Sequence, residues 1–369
     1  MINRSDALRV RGGDVIQLEK TREGLQRLGA SVDVRLADDL AGAWDYDLVH
    51  IFNIQSPLES WRACQVAKNK GVPVVLSTIY WDPSPTWYWT ARDVKMIWRI
   101  VRALLGRRGY KLYAAWQYLR YPASEVWNVQ RQLLAAANML LPNSRLEAAQ
   151  IYRDFRFKDV RPPCIVVPNA VDRELFDPLR RPSRQVQDSL GMENFVLQVG
   201  RISPEKNPLG LIEAIWDLGV PAVLVGSPSP HHPEYAQVCH ERGLRRGNVH
   251  FIEWLPHKEL PSVYALAAVH ALPSWRETPG LVSLEAGAMG CRIVSTSIGS
   301  AYEYLGNEAW YCHPADKASI RQAVMSALKA PRSENLRKRV LENYTWDKAA
   351  EATLAAYRTV LRDGRDEQR

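Results

Sequence analysis

Two stretches of the chain carry residue types and spacings that could do chemistry. The first is Gly200-Arg201-Ile202-Ser203-Pro204-Glu205-Lys206-Asn207, which follows the apolar run FVLQV. Arg201 and Lys206 in a loop at a strand's carboxyl end could clamp a diphosphate. Arginine offers a planar fork to phosphate oxygens and lysine a compact charge. A solvated loop with two surface cations is the plainer alternative. The second stretch runs Glu277-Thr-Pro-Gly-Leu-Val-Ser-Leu-Glu285, after VHALPSW. Pro279-Gly280 reads as a turn and LVSLEAGAM as a helix. Glu277 then stands just before the helix and Glu285 on its second turn. Eight helical residues span roughly 12 Å. That is too far for two carboxylates sharing a proton and long for a glycosidase acid/base pair. The spacing better suits two hydroxyl-rich ends of one extended ligand, with the N–H groups of the helix start facing an anion between them. A sugar at Glu277, a diphosphate at the helix start and a ribose at Glu285 fit that layout.

Other polar residues read as structural. His50 ends the strand-like DYDLVH, where it either faces a cleft or packs. His231, His232 and His240 lie in or beside a proline-bearing loop with Cys239 but without a zinc-like ligand spacing. Ser144 with Glu147 three residues on reads as a capping box. Neither a Gly-x-Ser-x-Gly elbow nor a phosphate-binding P-loop is present.

These loops need strands to hold them. In the first half, 31–36, 47–52, 73–77, 138–142 and 164–168 read as short strands, with helical patterns between most of them. The second half repeats the alternation at 195–200, 222–226, 249–252, 269–272 and 292–295. Short apolar runs punctuated by Gly and Pro suit parallel strands buried on both faces. Two such series imply an α/β protein of two Rossmann-like, doubly wound domains, with ligands in the cleft between them. The expected boundaries are 1–172, 173–345 and a C-terminal helix in 346–369.

The chain has 369 residues, more than one hydrophobic core usually serves. Its 48 Lys and Arg against 40 Asp and Glu leave it at +8, which suggests an anionic partner. Five scattered cysteines, none in a CxxC pair, suit a reduced cytoplasmic protein. The polar start is unlike a signal peptide, and no apolar stretch reaches the length of a membrane span.

Trp81–Tyr121 departs from this background. Eight of its residues are Lys or Arg and two are acids, a net +6 of the chain's +8. Ile97, Ile100, Val101, Leu104 and Leu105 fall at helical spacing, with Arg92, Lys95, Arg99 and Arg102 mostly elsewhere on the wheel. Five tryptophans lie in the stretch. Two readings compete. In one, 92–111 docks on an anionic membrane or a lipid-linked acceptor, peripherally at the inner face. In the other, the apolar stripe packs on its own domain. No nucleic-acid motif accompanies the charge, so no nucleic acid is expected.

The combined pattern, Gly-Arg-x4-Lys-Asn followed by Glu-x7-Glu, resembles the retaining glycosyltransferases of the GT-B fold, family 4. VPNAVDRELF and VHFIEWLPHKELPSVYALAAVHALPS are similar to that family's segments at the domain join and ahead of the double-glutamate motif. The resemblance runs from about Gly12 to Trp346 and is strongest in 164–316. It implies that Arg201 and Lys206 hold the donor diphosphate as it leaves, that Glu277 contacts the transferred sugar, and that Glu285 accepts from the ribose. It also implies that backbone N–H groups at Gly280, Leu281 and Val282 meet sugar and phosphate, and that Gly12-Gly13 form an N-terminal glycine loop. The last helix would cross back onto the N-domain.

Three features depart from the family pattern. Only Met1-Ile2 precede Asn3, where a full first strand is usual. Tyr80 stands where the family commonly has a histidine. Pro279 replaces the usual aromatic and removes one N–H. The expected activity is transfer of a sugar from a nucleotide-diphosphate donor to a hydroxyl on a glycan, lipid-linked or small acceptor, with retention. His50 and Tyr80 are acceptor-side candidates. No cofactor or metal is expected, because Arg201 and Lys206 supply positive charge. A non-catalytic protein of the same fold, a nucleotide-sugar epimerase and a basic binding module are the alternatives.

Overall fold

The computed structural model describes residues 1–9, 12–42, 44–90, 96–157, 161–278 and 280–366, with side chains as far as 363. Arg92, Asp93, Lys95 and Pro279 lie outside the described residues. The strands form two all-parallel sheets, and the chain divides into two compact units. The first holds Met1–Asp82, Lys111–Asn169 and Trp346–Arg369; the second holds Pro83–Tyr110 and Ala170–Thr345.

The first unit contains β1 (Ile2–Asn3), β2 (Arg35–Leu36), β3 (Val49–Phe52), β4 (Val74–Ser77) and β5 (Met139–Leu141), in the order β2-β1-β3-β4-β5. The first strand is as short as the sequence suggests. The run 31–36 keeps only its last two residues as strand. The run 164–168 is not a strand; one bridge, Leu140 with Cys164, ties it to β5. Val49, Ile51, Val74 and Leu76 pack with Leu133, Leu134, Ile151 and Phe155 in this unit's core. Two helices, Gly13–Arg27 and Trp346–Asp366, meet where Gly24 faces Ala350. A Cβ on Gly24 would lie 2.5 Å from the Ala350 Cβ, so the close approach needs glycine. Arg27 and Asp347 pair at 2.8 Å nearby.

In the second unit, β6 (Phe195–Val199), β7 (Ala222–Val225), β8 (Val249–Ile252), β9 (Ala267–Leu272), β10 (Arg292–Thr296) and β11 (Trp310–Cys312) run β11-β10-β9-β6-β7-β8. Strand β11 is an addition to the sequence reading. Alternate residues serve the two faces. Phe195, Leu197, Val223 and Val225 enter one core, and Val196, Ala222 and Leu224 the other. Burial on both faces explains why these strands read as continuous apolar runs. The chain order reverses between β6 and β9, and such a switch point is where open α/β sheets place ligands.

The basic segment is divided between the two units. Helix Ser84–Thr90 and the first part of helix Met96–Arg120, up to Tyr110, group with the second unit rather than with the 1–172 domain expected from the sequence. The long helix breaks at Gly106, whose φ of 47° and ψ of −118° are not helical. Arg102 turns inward, and its Nη1 donates to the carbonyls of Tyr88 (2.6 Å) and Trp89 (2.9 Å). The apolar stripe does not pack on its own unit. Met96, Ile97, Ile100 and Leu104 are 66, 59, 49 and 77% exposed.

Candidate active site

The two motif loops leave the two strands that flank the switch point. The loop at Gly200 follows β6 and closes in a single helical turn, Pro204–Lys206. Asn207 then takes a left-handed conformation, φ 55° and ψ 40°. Asparagine tolerates that region better than most residues, and Pro208 restarts the chain as a helix. The Asn207 Nδ2 donates to the carbonyls of Pro273 (3.1 Å) and Pro314 (3.0 Å). The Trp275 N–H donates to the Glu205 carbonyl at 2.9 Å. These bonds lash the β6 loop to the loop after β9.

That lashing brings Lys206 to Glu277. Their Nζ and Oε1 atoms are 2.7 Å apart, with the carboxylate 4% exposed and the lysine about a third exposed. The Glu277 backbone is fixed as well. Its N–H donates to Ile298 (3.2 Å) and its carbonyl accepts from Ser300 N–H (2.7 Å). An ammonium has three donors, so Lys206 can hold Glu277 and still reach a second oxygen. Arg201 sits half-buried at the head of the same loop.

Gly280 caps helix Leu281–Ala288 with φ +80°, a conformation that favours glycine. A Cβ there would lie 3.1 Å from the Glu277 Oε2. The first intrahelical donor is Ser283, at 2.8 Å from the Gly280 carbonyl, so the N–H groups of Leu281 and Val282 precede the ladder. The Ser283 hydroxyl, fully buried in the same turn, has no hydrogen-bond partner among the described residues. A helix start of this kind attracts an anion.

Glu285 lies one turn further on, buried, and its carboxylate is held by residues the sequence reading did not single out. His257 Nε2 is 2.8 Å from its Oε1, and the Tyr264 hydroxyl donates to its Oε2 at 3.1 Å. Burial, and then the neighbouring Glu285 charge, push the Tyr264 hydroxyl well above the ordinary range, so it stays a donor. His257 is the more exposed partner, and its ring stands edge-on to Phe176.

An aromatic group adjoins this site. Trp89, on helix Ser84–Thr90, stacks on Trp275 at 5.8 Å with planes 16° apart, and His313 meets Trp89 edge-on at 6.4 Å. Burial, and then the nearby Arg107 charge, lower the His313 basicity.

The remaining residues singled out from the sequence fall in the first unit. Gly12 precedes helix Gly13–Arg27 in an extended conformation, so positive φ is not its reason. A Cβ on Gly12 would lie 2.7 Å from Asp14 Oδ1, and the other Asp14 oxygen pairs with Arg4 at 2.9 Å. His50 is 2% exposed, with Nδ1 against the Tyr357 hydroxyl (2.6 Å) and Nε2 against the Ser77 hydroxyl (2.9 Å). It is a packed strand histidine, and burial holds its basicity well below the ordinary value. Tyr80 is also interior. Its hydroxyl donates to Asp154 at 2.9 Å and its N–H to Glu147 at 2.8 Å. Both residues therefore serve the core of this unit. Ser144 caps its helix as expected, accepting from Glu147 N–H at 2.9 Å. The buried Glu147 carboxylate also accepts from Asn143 N–H and from the Thr78 hydroxyl, tying together the ends of β4 and β5. His240 stacks on Phe251, and among the described residues no His, Cys, Asp or Glu cluster is arranged to hold a metal ion.

Comparison with known proteins bears on the same region. Residues 180–345, which contain Arg201, Lys206, Glu277 and Glu285, match the family model "Glycosyl transferases group 1". The match covers rather less than half of the chain. The chain is 30% identical over 247 residues to the D-inositol 3-phosphate glycosyltransferase of Segniliparus rotundus, covering 63% of this chain and 55% of that one. It is 25% identical over 277 residues to the O-antigen chain mannosyltransferase B of Escherichia coli, covering 70% and 71%. The chain spans about half the length of the inositol-phosphate relatives it matches. Among solved structures, the sucrose-phosphate synthase of Thermosynechococcus elongatus matches with a TM-score of 0.73 at 20% identity, covering 95% of this chain and 94% of that one. Anabaena HepE, solved with UDP and glucose, matches with a TM-score of 0.71 at 15% identity, covering 96% and 97%. These structural likenesses concern the fold. The two doubly wound α/β units of this chain are those expected of GT-B, and the matched segment 180–345 contains both Glu277 and Glu285.

Proposed function

We propose that this protein is a glycosyltransferase that moves a sugar from a nucleotide-diphosphate donor to an acceptor hydroxyl with retention of configuration. The observation that carries the proposal is the Lys206–Glu277 pair, 2.7 Å apart beside a helix start whose first N–H groups precede the ladder. The group 1 match and the glycosyltransferase relatives support it.

In this reading the diphosphate lies against the N–H groups of Leu281 and Val282, with Arg201 and Lys206 neutralising the charge that grows as the sugar leaves. Glu277, anchored by Lys206, accepts from hydroxyls of the transferred sugar. Glu285 accepts from the ribose on its His257 side, while Tyr264 keeps the carboxylate oriented. The departing diphosphate takes the acceptor proton on the face it leaves, so the interior positions of His50 and Tyr80 do not impede the reaction. The cations supply the charge stabilisation, and the proposal calls for no resident metal ion. The acceptor is a glycan, a lipid-linked or a small hydroxyl compound.

A thermal-shift panel of nucleotide sugars and bare nucleoside diphosphates tests the donor side, because a ligand that binds only the folded state raises its stability by mass action. At least one diphosphate donor is expected to raise the melting temperature, and Lys206→Ala to abolish that rise. A panel with no binder rejects the reading. With a donor in hand, release of nucleoside diphosphate only when an acceptor is added separates transfer from epimerisation, and NMR of the product anomer tests retention.

A further inference from the structure

We propose that the outer face of Met96–Leu105 is a docking surface for an anionic lipid bilayer, on which the helix lies flat. At 3.6 residues per turn, Met96, Ile97, Ile100 and Leu104 fall within about 100° of arc, and all four are about half exposed or more. The half-buried Trp98 and Arg102 lie on the opposite side, and half-buried Val101 flanks the stripe. Four large aliphatic side chains on one solvent-facing stripe are not scattered surface residues; a contiguous apolar patch marks an interaction site.

Charge selects the occupant. Between Asp93 and Glu125 the sequence has seven Lys or Arg and no acid. Of these, Arg99, Arg107 and Arg108 are exposed, while Arg102 is spent inward on Tyr88 and Trp89. Aliphatic residues flanked by cations of one sign suit acyl chains below a layer of anionic headgroups. Trp87, 44% exposed on the neighbouring helix of the same unit, is a residue type favoured at that boundary. No helix among the described residues is long and apolar enough to cross a membrane, so the contact is interfacial. The docking helix is also well braced. Arg102 fastens it to helix Ser84–Thr90, and Trp89 of that helix stacks on Trp275, two residues before Glu277.

The test uses the full chain and no nucleotide, so its failure is distinguishable from failure of the sugar-transfer reading. Protein is sedimented with vesicles of phosphatidylcholine alone and of phosphatidylcholine with phosphatidylglycerol. Expected is pelleting with the anionic vesicles, weakened by salt. The exposed-site double variant I100E/L104E should lower the bound fraction about tenfold or more, with an unchanged melting temperature. R107Q/R108Q should weaken binding by roughly fivefold per cation lost. Equal pelleting of the wild type and I100E/L104E overturns the proposal. So does pelleting that ignores lipid charge, or no pelleting at all. Concentration-dependent dimerisation that I100E/L104E abolishes, without vesicle binding, would make a second copy the occupant and overturn it too.

Discussion

Trp89 and Trp275 stack nearly parallel, 186 positions apart in the sequence and within the same unit. Trp275 also donates its backbone N–H to Glu205, one residue before Lys206. An element of the chain's first half is thereby part of the scaffold around the paired glutamates. Trp89→Ala should loosen both loops while leaving the Lys206 and Glu277 side chains in place. The expected result is a weaker thermal-shift response to donor, restored by Trp89→Phe. An unaltered response in Trp89→Ala would show that the stack is not a support for the site.

Removing Lys206 has two effects of different size. Turnover should fall about 10²–10³-fold, the usual cost of losing one donor aimed at a leaving group. Stability should fall by about 1–3 kcal/mol, because the buried Glu277 carboxylate loses its partner. Lys206→Ala with near-normal activity in a coupled diphosphate-release assay would remove the phosphate clamp from the mechanism.

Glu285 can be separated from Glu277 with bare nucleotide. Glu285→Ala should weaken a nucleoside diphosphate about tenfold in calorimetry, the size of one or two lost charge-assisted bonds. Glu277→Gln should barely change that affinity and should act on turnover. Tyr264→Phe should cost about 1–2 kcal/mol in denaturant unfolding, since it strips a donor from a buried carboxylate.

Acid should destabilise the fold earlier than its carboxylates alone require. Burial lowers the His270 pKa to about 3, and neither ring nitrogen has a hydrogen-bond partner among the described residues. The unfolded chain, with histidine near 6.5, binds the proton first. Stability is therefore full above pH 6.5 and is lost as pH falls from there toward 3, by at most about 1.4 kcal/mol per pH unit for this residue. Melting curves between pH 7.5 and 5 should be flatter for His270→Leu than for the wild type, with the His50 contribution remaining in both.

Gly24→Leu should be destabilising by about 1–3 kcal/mol, the range for overpacking a tight contact. The added side chain meets Ala350 on the last helix. Ala350→Gly should relieve part of the strain. Additive effects in the double variant would deny the close approach.

The strands and both motif loops were legible because each depends on local pattern. Apolar runs such as 195–199 and 222–225 are buried on two faces, and Pro or Gly ends them. Strand β11 escaped notice because Trp310–Cys312 is three residues long and mixes aromatic and thiol side chains. The run 164–168 looks like a strand by composition, yet it meets β5 at one bridge only. His257 and Tyr264 were invisible as partners of Glu285, since nothing in their spacing shows that the chain returns there. Asn207 belongs to the first motif, and its Asn-Pro step marks the start of a helix. The interior positions of His50, inside β3, and Tyr80, three residues beyond β4, follow from partners distant in sequence, Tyr357 and Asp154, that no local spacing records. The placement of 83–110 rests on tertiary contacts such as Trp89 with Trp275 and with His313, which no periodicity records.

The helix Trp346–Asp366 supplies Ala350 to Gly24 and Tyr357 to His50, so the unit begun by the first strand is closed by a helix that follows the whole of 170–345 in the chain. During synthesis from the amino end, the Gly24 and His50 flank of the first unit lacks this covering helix until residues 180–345 have been made.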